Sequence, residues 1–172
     1  MLRRLTVLVI AVIITGVALI GVSYIYNTYG SGTLQIKITD PPSWGQATQV
    51  YLNYGVIEVH RTDGANTSGW FTIVDKSEWI SLIKVLNINQ TLGSKPLQAG
   101  LYNLIRFTIL DAIVTVSGKN YTATVPSGKL QVAITKGGIR IVTGQTATLL
   151  IDLNTKVVGF YKIVPDIRAT PV

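Results

Sequence analysis

The sequence predicts an all-β protein, an antiparallel β-sandwich of the immunoglobulin/transthyretin-like kind, preceded by a single N-terminal transmembrane helix. Three observations predict it. Residues 5–26 carry no charge. Beyond them the chain is rich in Ile, Val, Leu, Tyr and Thr, the β-branched and aromatic types that suit a pleated, half-buried surface. Short runs of these residues are separated by Gly, Pro, Asp and Asn turn signals, which gives eight or more strands.

The apolar segment comes first. MLRRLTVLVIAVIITGVALIGVSYIY holds an uncharged stretch from Leu5 to Tyr26, about 33 Å long as a helix against a hydrocarbon core of roughly 30 Å. Arg3 and Arg4 precede it, and no Lys or Arg follows until Lys37. The positive-inside rule then leaves the N-terminus in the cytoplasm and sends the rest of the chain outside. Tyr24, Tyr26 and Tyr29 fall where an outer aromatic belt would lie. Two alternatives remain. A cleaved signal peptide usually has an apolar region of about 7–15 residues, and the small-x-small site here is Gly21-Val22-Ser23. A pilin-type leader would be cut after the basic residues, but the stretch lacks the early glutamate of many pilins. The expected organisation is an anchor or uncleaved signal over 1–26, a linker over 27–32, and an extracytoplasmic β-sandwich over 33–172.

The strands follow in order. Residues 33–39, TLQIKIT, alternate apolar and polar, and Asp40-Pro41-Pro42 ends the run because proline cannot donate to a ladder. Residues 48–60 read as a long strand with Val50, Leu52 and Tyr54 on one face. Gly55 marks a bulge that shifts the phase to Val56 and Ile57. A turn-rich loop occupies 61–69, and a short strand 70–74. Residues 79–86 are either a strand or one or two helical turns. Residues 102–116 are apolar enough for two strands, with a break near Asp111. Ser117-Gly118-Lys119-Asn120 makes a hairpin turn into 121–125. Glycines and Pro126 punctuate further short strands, and the last ones are 146–153 and 160–164.

Composition narrows the function. The chain has no cysteine, which excludes a disulfide framework, thiolate chemistry and Cys-based metal sites. The net charge is +7, two of it from Arg3 and Arg4. The other basic residues are dispersed, without a basic helix or cluster, so nucleic acid is not an expected partner.

Seven blocks, in order, carry a family resemblance: ITDPP (38–42), YGVIEVHRTDG (54–64), GWFTIV (69–74), LQAGLYNLIRFTI (97–109), VTVSGKNYTATVPSG (114–128), TATLLIDLN (146–154) and FYKIVPDIRA (160–169). Together they resemble domain-of-unknown-function family 4382 over about residues 33–169. The resemblance implies an exported or lipid-anchored surface β-sandwich of bacteria or archaea. It supplies no catalytic residue. One departure follows VPSG, where a GIKL-like segment is represented only by 129–134 and 138–141, so the edge strands there stay unassigned.

Few residues nominate chemistry. His60 is the only histidine, flanked by Glu58 and Asp63. Without a second His, a Cys or a G-x-S-x-G elbow it lacks the partners of a base or metal ligand, and catalysis is not expected. Asp63 opens DGANTS, a loop with several oxygen donors for calcium, but without the D-x-[DN]-x-[DN]-G spacing it reads more simply as an Asp-Gly turn. Neither a metal nor a cofactor is expected. Trp44, Trp70, Trp79, Tyr51 and Tyr54 could form a sugar-stacking platform, although core packing explains most of them. Trp44, in the exposed-looking PPSWGQ turn, is the candidate for ligand contact. Three N-x-[ST] sequons begin at Asn66, Asn89 and Asn120, where composition alone predicts about 1.3. All three fall in expected loops or turns and are glycosylation candidates.

The leading expectation is a non-enzymatic, membrane-anchored cell-surface protein that acts through protein–protein contacts, as a structural, adhesive or filament subunit. Strand addition at a sandwich edge would serve, with residues 27–39 as the donated segment if the leader is removed. The alternative is an accessory subunit of a larger respiratory or transport assembly, whose helix packs through Thr15, Gly16, Ala18, Gly21 and Ser23. A surface carbohydrate- or calcium-binding module is a third reading.

Overall fold

Alternating apolar residues force strands to bury one face, and two such sheets close on each other here. The computed structural model describes residues 12–22, 30–40, 44–62, 69–86, 88–126, 128–159 and 161–172. Its strands are β1 (Ser31–Thr39), β2 (Gln49–Arg61), β3 (Trp70–Val74), β4 (Glu78–Ser81), β5 (Gln90–Gln98), β6 (Gly100–Val116) and β7 (Lys119–Ala123). They continue as β8 (Lys129–Ala133), β9 (Ile139–Ile141), β10 (Thr146–Asp152), β11 (Lys156–Val158), β12 (Lys162–Val164) and β13 (Arg168–Pro171). One sheet has the order β13-β10-β1-β5. The larger has the order β3-β2-β6-β7, with β4 beside β2 and β8 and β9 beside β6. β11 and β12 form a separate hairpin.

A single apolar cluster lies between the sheets. The smaller sheet contributes Leu34, Ile36 and Ile38 from β1 and Leu149 and Ile151 from β10. The larger contributes Val50, Leu52, Tyr54, Ile57 and Val59 from β2 and Tyr102, Ile105, Phe107 and Ile109 from β6. Most are at or near zero exposure, so truncating any large one to alanine costs about 2–5 kcal/mol.

Three bulges keep this face apolar along β2 and β6. Tyr54 pairs with Ile109 and Ile57 with Phe107, so Gly55 and Val56 together oppose Thr108. The expected phase shift at Gly55 holds for Ile57 but not for Val56, which is only half-buried: burial passes from Val50, Leu52 and Tyr54 to Ile57 and Val59. On β6 the extra residues are Leu110 and Asn103. The first corrects the expected break near Asp111. Residues 100–116 form one strand, and Leu110 and Asp111 are both exposed because the bulge turns two successive side chains outward.

Other boundaries moved. Residues 79–86 resolve into both alternatives, β4 followed by a 3-10 turn at Leu82–Val85. Ser117 and Gly118, at φ 48° and 75°, form the two-residue turn between β6 and β7. β5, β11 and β13 were not expected. The sandwich is not purely antiparallel: β1 and β10 run parallel, from Thr33↔Thr146 to Thr39↔Asp152. β1 is also antiparallel to β5 and so is paired on both sides within its own chain. That corrects residues 27–39 as a donated strand, since removing β1 would split the four-stranded sheet. β1 begins at Ser31, inside the expected linker, of which 27–29 lie outside the described residues.

Residues 12–22 are helical. Residues 5–11 and 23–26 of the expected span lie outside the described residues, and among those described no helix is long and apolar enough to cross a membrane.

Candidate functional site

The outer face of the larger sheet carries the densest group of chemistry-bearing side chains. Strand alternation puts Val59 and Phe71 on the core side and Glu58, His60 and Trp70 on the other, with His60 opposite Trp70 in the β2–β3 register. Glu58 also faces Arg106 across β2 and β6. Arg106 Nε donates to Glu58 Oε2 at 2.5 Å, and its guanidinium lies 4.0 Å from the centre of the Trp70 ring. His60 meets that indole edge-on, with centroids 5.1 Å apart, and its Nδ1 lies 3.3 Å from Asn103 Oδ1. The hydrogen bond from Arg106 holds the Glu58 carboxyl below its ordinary value, against the opposing pull of partial burial. The charges of Arg106 and Lys129 add to the lowering.

This group is an electrostatically satisfied cluster. His60 is hemmed in on its other side as well: a Cβ on Gly69 would stand 2.5 Å from Nε2. It touches an indole and an amide, neither of which is a nucleophile, so the base reading of His60 gains no partner. The cluster's chemistry is a cation fixed in place by stacking and an ion pair.

Trp44 is corrected from the exposed turn position expected of it. It is 7% exposed, and its indole N–H donates to Asp40 Oδ2 at 3.0 Å. Asp40, itself fully buried, also accepts from the Thr155 backbone N–H at 2.8 Å through Oδ1. One carboxylate thus ties the end of β1 to the following loop and to the segment between β10 and β11. Burial pushes the Asp40 carboxyl above its ordinary value, although these hydrogen bonds oppose the shift. Trp44 belongs to the apolar cluster, so it does not occupy the exposed turn that nominated it for ligand contact; it lines a surface cleft with Gln46 and Val157.

The remaining aromatics do not assemble into a platform. Trp70 gives its face to Arg106, Trp79 stands 46% exposed, and Tyr54 is 5% exposed with its hydroxyl bonded to Glu78 Oε2 at 3.2 Å. Burial, then the Glu78 charge, pushes Tyr54 ionisation up to about 12. Asp63 and Asn66 lie outside the described residues. A different acidic group, unmarked by any motif, appears where β10 ends. The Asn154 backbone N–H donates to Asp152 Oδ1 at 3.2 Å, and its side-chain amide donates to Asp166 Oδ2 at 3.4 Å. Arg168 lines the same cleft. Among the described residues, no three His, Cys, Asp or Glu side chains are grouped to hold a metal ion.

Two surface features have no internal explanation. Asn89 and Asn120 are exposed; Asn89 lies just before β5, while Asn120 is corrected from the expected turn to strand β7, where it pairs with Thr115. In the helical segment, Val12, Ile13, Ile14, Val17, Leu19, Ile20 and Val22 are 58% to 72% exposed.

The profile of one family, described as a domain of unknown function (DUF4382), matches residues 31–160. This bears out the family expected from the ordered blocks, over a range that stops short of residue 169. Neither the curated proteins nor the solved structures give a match to the chain.

Proposed function

We propose that this chain, which belongs to the DUF4382 family, is a non-enzymatic surface protein. Residues 5–26 anchor it in a membrane, the sandwich faces outward, and the sandwich works through contacts with other proteins. One observation carries the reading. The helical residues 12–22 expose seven large apolar side chains and contain no charged residue. A helix that is apolar all round belongs in a protein core or in lipid, and no described core covers this one. Arg3 and Arg4 on one side, with no basic residue until Lys37 on the other, orient the segment with its start in the cytoplasm.

The outward domain suits contact better than catalysis. Its one histidine and the Glu58–Arg106 ion pair meet at the same indole, and the buried Asp40 carboxylate holds loops together. A second reading rests on Gly16 and Gly21, where an added Cβ would meet nothing within 4 Å. Such open small-residue positions let another membrane helix approach closely, as an accessory subunit of a larger assembly requires.

Alkaline carbonate extraction of native membranes, followed by intact-mass measurement, tests the proposal. The account expects the protein to stay in the pellet at 18.6 kDa or above. Release into the supernatant, or loss of the apolar segment from the mass, would overturn the anchor. A larger integral protein that co-purifies in stoichiometric amount would favour the accessory-subunit reading.

A further inference from the structure

The smaller sheet is bounded by β13 and β5, and the larger by β3 and β4 along β2 and by β7, β8 and β9 along β6; β5 and β7 are two of these edge strands. Such edges offer free N–H and C=O groups to any other extended chain, and proteins usually guard them with charges, proline or cover. β5 has Lys95 and Pro96 in its second half, whereas its first half, QTLGS, has neither charge nor proline. β7, KNYTA, has only Lys119 at its start and leaves Tyr121 38% exposed. The two sequons whose structure is described fall on these weak points. Asn89-Gln90-Thr91 runs into the unguarded half of β5, and Asn120-Tyr121-Thr122 lies within β7. All six of these residues are exposed.

We propose that Asn89 and Asn120 carry N-linked glycans, and that the glycans shield the β5 and β7 edges from pairing with other chains. The local geometry suits the chemistry. Asn120 is exposed, and its Oδ1 accepts the Thr115 hydroxyl at 2.8 Å across the hairpin, a bond that does not use the amide nitrogen. In the transfer, that nitrogen attacks C1 of an oligosaccharide carried on a lipid phosphate. The new C–N bond replaces the C1–O bond, whose electron pair leaves with the phosphate, and the amide proton passes to a base. The Thr hydroxyl two residues on completes the acceptor sequence. The third sequon, at Asn66, lies outside the described residues and is not part of the proposal.

The proposal rests on the outward orientation of the domain, so its test reads both. The full chain is purified from its native membrane and digested with trypsin, and the peptides spanning 85–106 and 120–129 are weighed. The expected result is one shared oligosaccharide increment on each, localised to Asn89 and Asn120 by fragmentation. Thr91→Ala should abolish the first increment alone and Thr122→Ala the second alone, while Thr→Ser at either position retains it. The double alanine variant should elute from size exclusion as larger assemblies than the wild type. Unmodified masses for both peptides, from a protein that external protease digests on intact cells, overturn glycosylation and leave the surface reading standing. A domain protected until lysis overturns both. Glycosylated peptides with an unchanged elution volume in the double variant overturn the shielding role.

Discussion

Replacing Asp40 by alanine should destabilise the sandwich more than an isolated acidic side chain normally would. The substitution removes the acceptor of two buried donors, the Trp44 indole N–H at 3.0 Å and the Thr155 backbone N–H at 2.8 Å. Each donor left unsatisfied costs about 1–3 kcal/mol. Against this, the variant no longer has to ionise a carboxyl group in the core. Because burial raises the Asp40 pKa, the native state binds the proton more tightly than the unfolded chain does. Wild-type stability therefore falls as pH rises from the ordinary value of 3.8 through the raised one. The loss on mutation is largest at the acidic end of that window, about 2–6 kcal/mol for the two donors together, and narrows as pH rises. At about 2–4 °C per kcal/mol for a chain of this size, the acidic-end shift in Tm is on the order of 10 °C. Thermal unfolding in detergent, followed by tryptophan fluorescence across pH, reads both the shift and its trend. A cycle with Trp44→Phe isolates the indole bond: the double variant should lose about 1–2 kcal/mol less than the sum of the single ones. Additive losses, or a gap between wild type and Asp40→Ala that widens with pH, would refute the reasoning.

Four further outcomes follow from the same geometry. Glu58→Gln should cost about 0.5–1 kcal/mol at neutral pH. Because the Glu58 pKa is lowered, its contribution fades as pH falls through the folded value, and denaturant midpoints across an acid series should show the wild-type advantage disappear. Gly69→Ala should cost about 1–3 kcal/mol, since φ is +63° and the new Cβ would meet His60 Nε2 at 2.5 Å; a His60→Ala background should recover the steric part in the same unfolding assay. Ultraviolet difference titration against Tyr54→Phe should place Tyr54 ionisation near 12, and ionisation at the ordinary phenol value would contradict its burial. Ile14→Asp should cost about 2.5–3.5 kcal/mol of membrane insertion and move protein from the membrane pellet to the soluble fraction.

Much of the scaffold was legible because the strands obey a period of two. β1, β2 and β3 stand within two residues of their expected limits, and Gly55 announced its bulge. β6 resists local reading because an exposed Leu110 beside Asp111 looks the same whether the chain turns or bulges, and only the β2 register separates the two. β5 has no local strand signal, because Gly93, Ser94 and Pro96 are turn residues by composition, yet β1 holds them extended from its other side. The parallel β1–β10 pair joins residues more than a hundred positions apart, and no local pattern encodes it. Trp44 looked exposed for a related reason. Its neighbours in sequence are polar or turn-forming, while its indole N–H bonds Asp40 at the end of β1, a buried carboxylate that also holds Thr155 far along the chain. The ion pair and stacking around Arg106 required knowing which strands neighbour β2. The sequons were visible at once, but their position on two sheet edges was not.

The absence of cysteine makes the central claim directly measurable. Ser77→Cys places a single thiol on the exposed segment between β3 and β4. Intact cells producing the full chain would be treated with a membrane-impermeant maleimide, with a lysed sample alongside. An outward sandwich held by an apolar anchor predicts equal labelling in intact and lysed cells, with the labelled protein in the membrane fraction. Labelling only after lysis, or labelled protein free in the medium, would contradict the account.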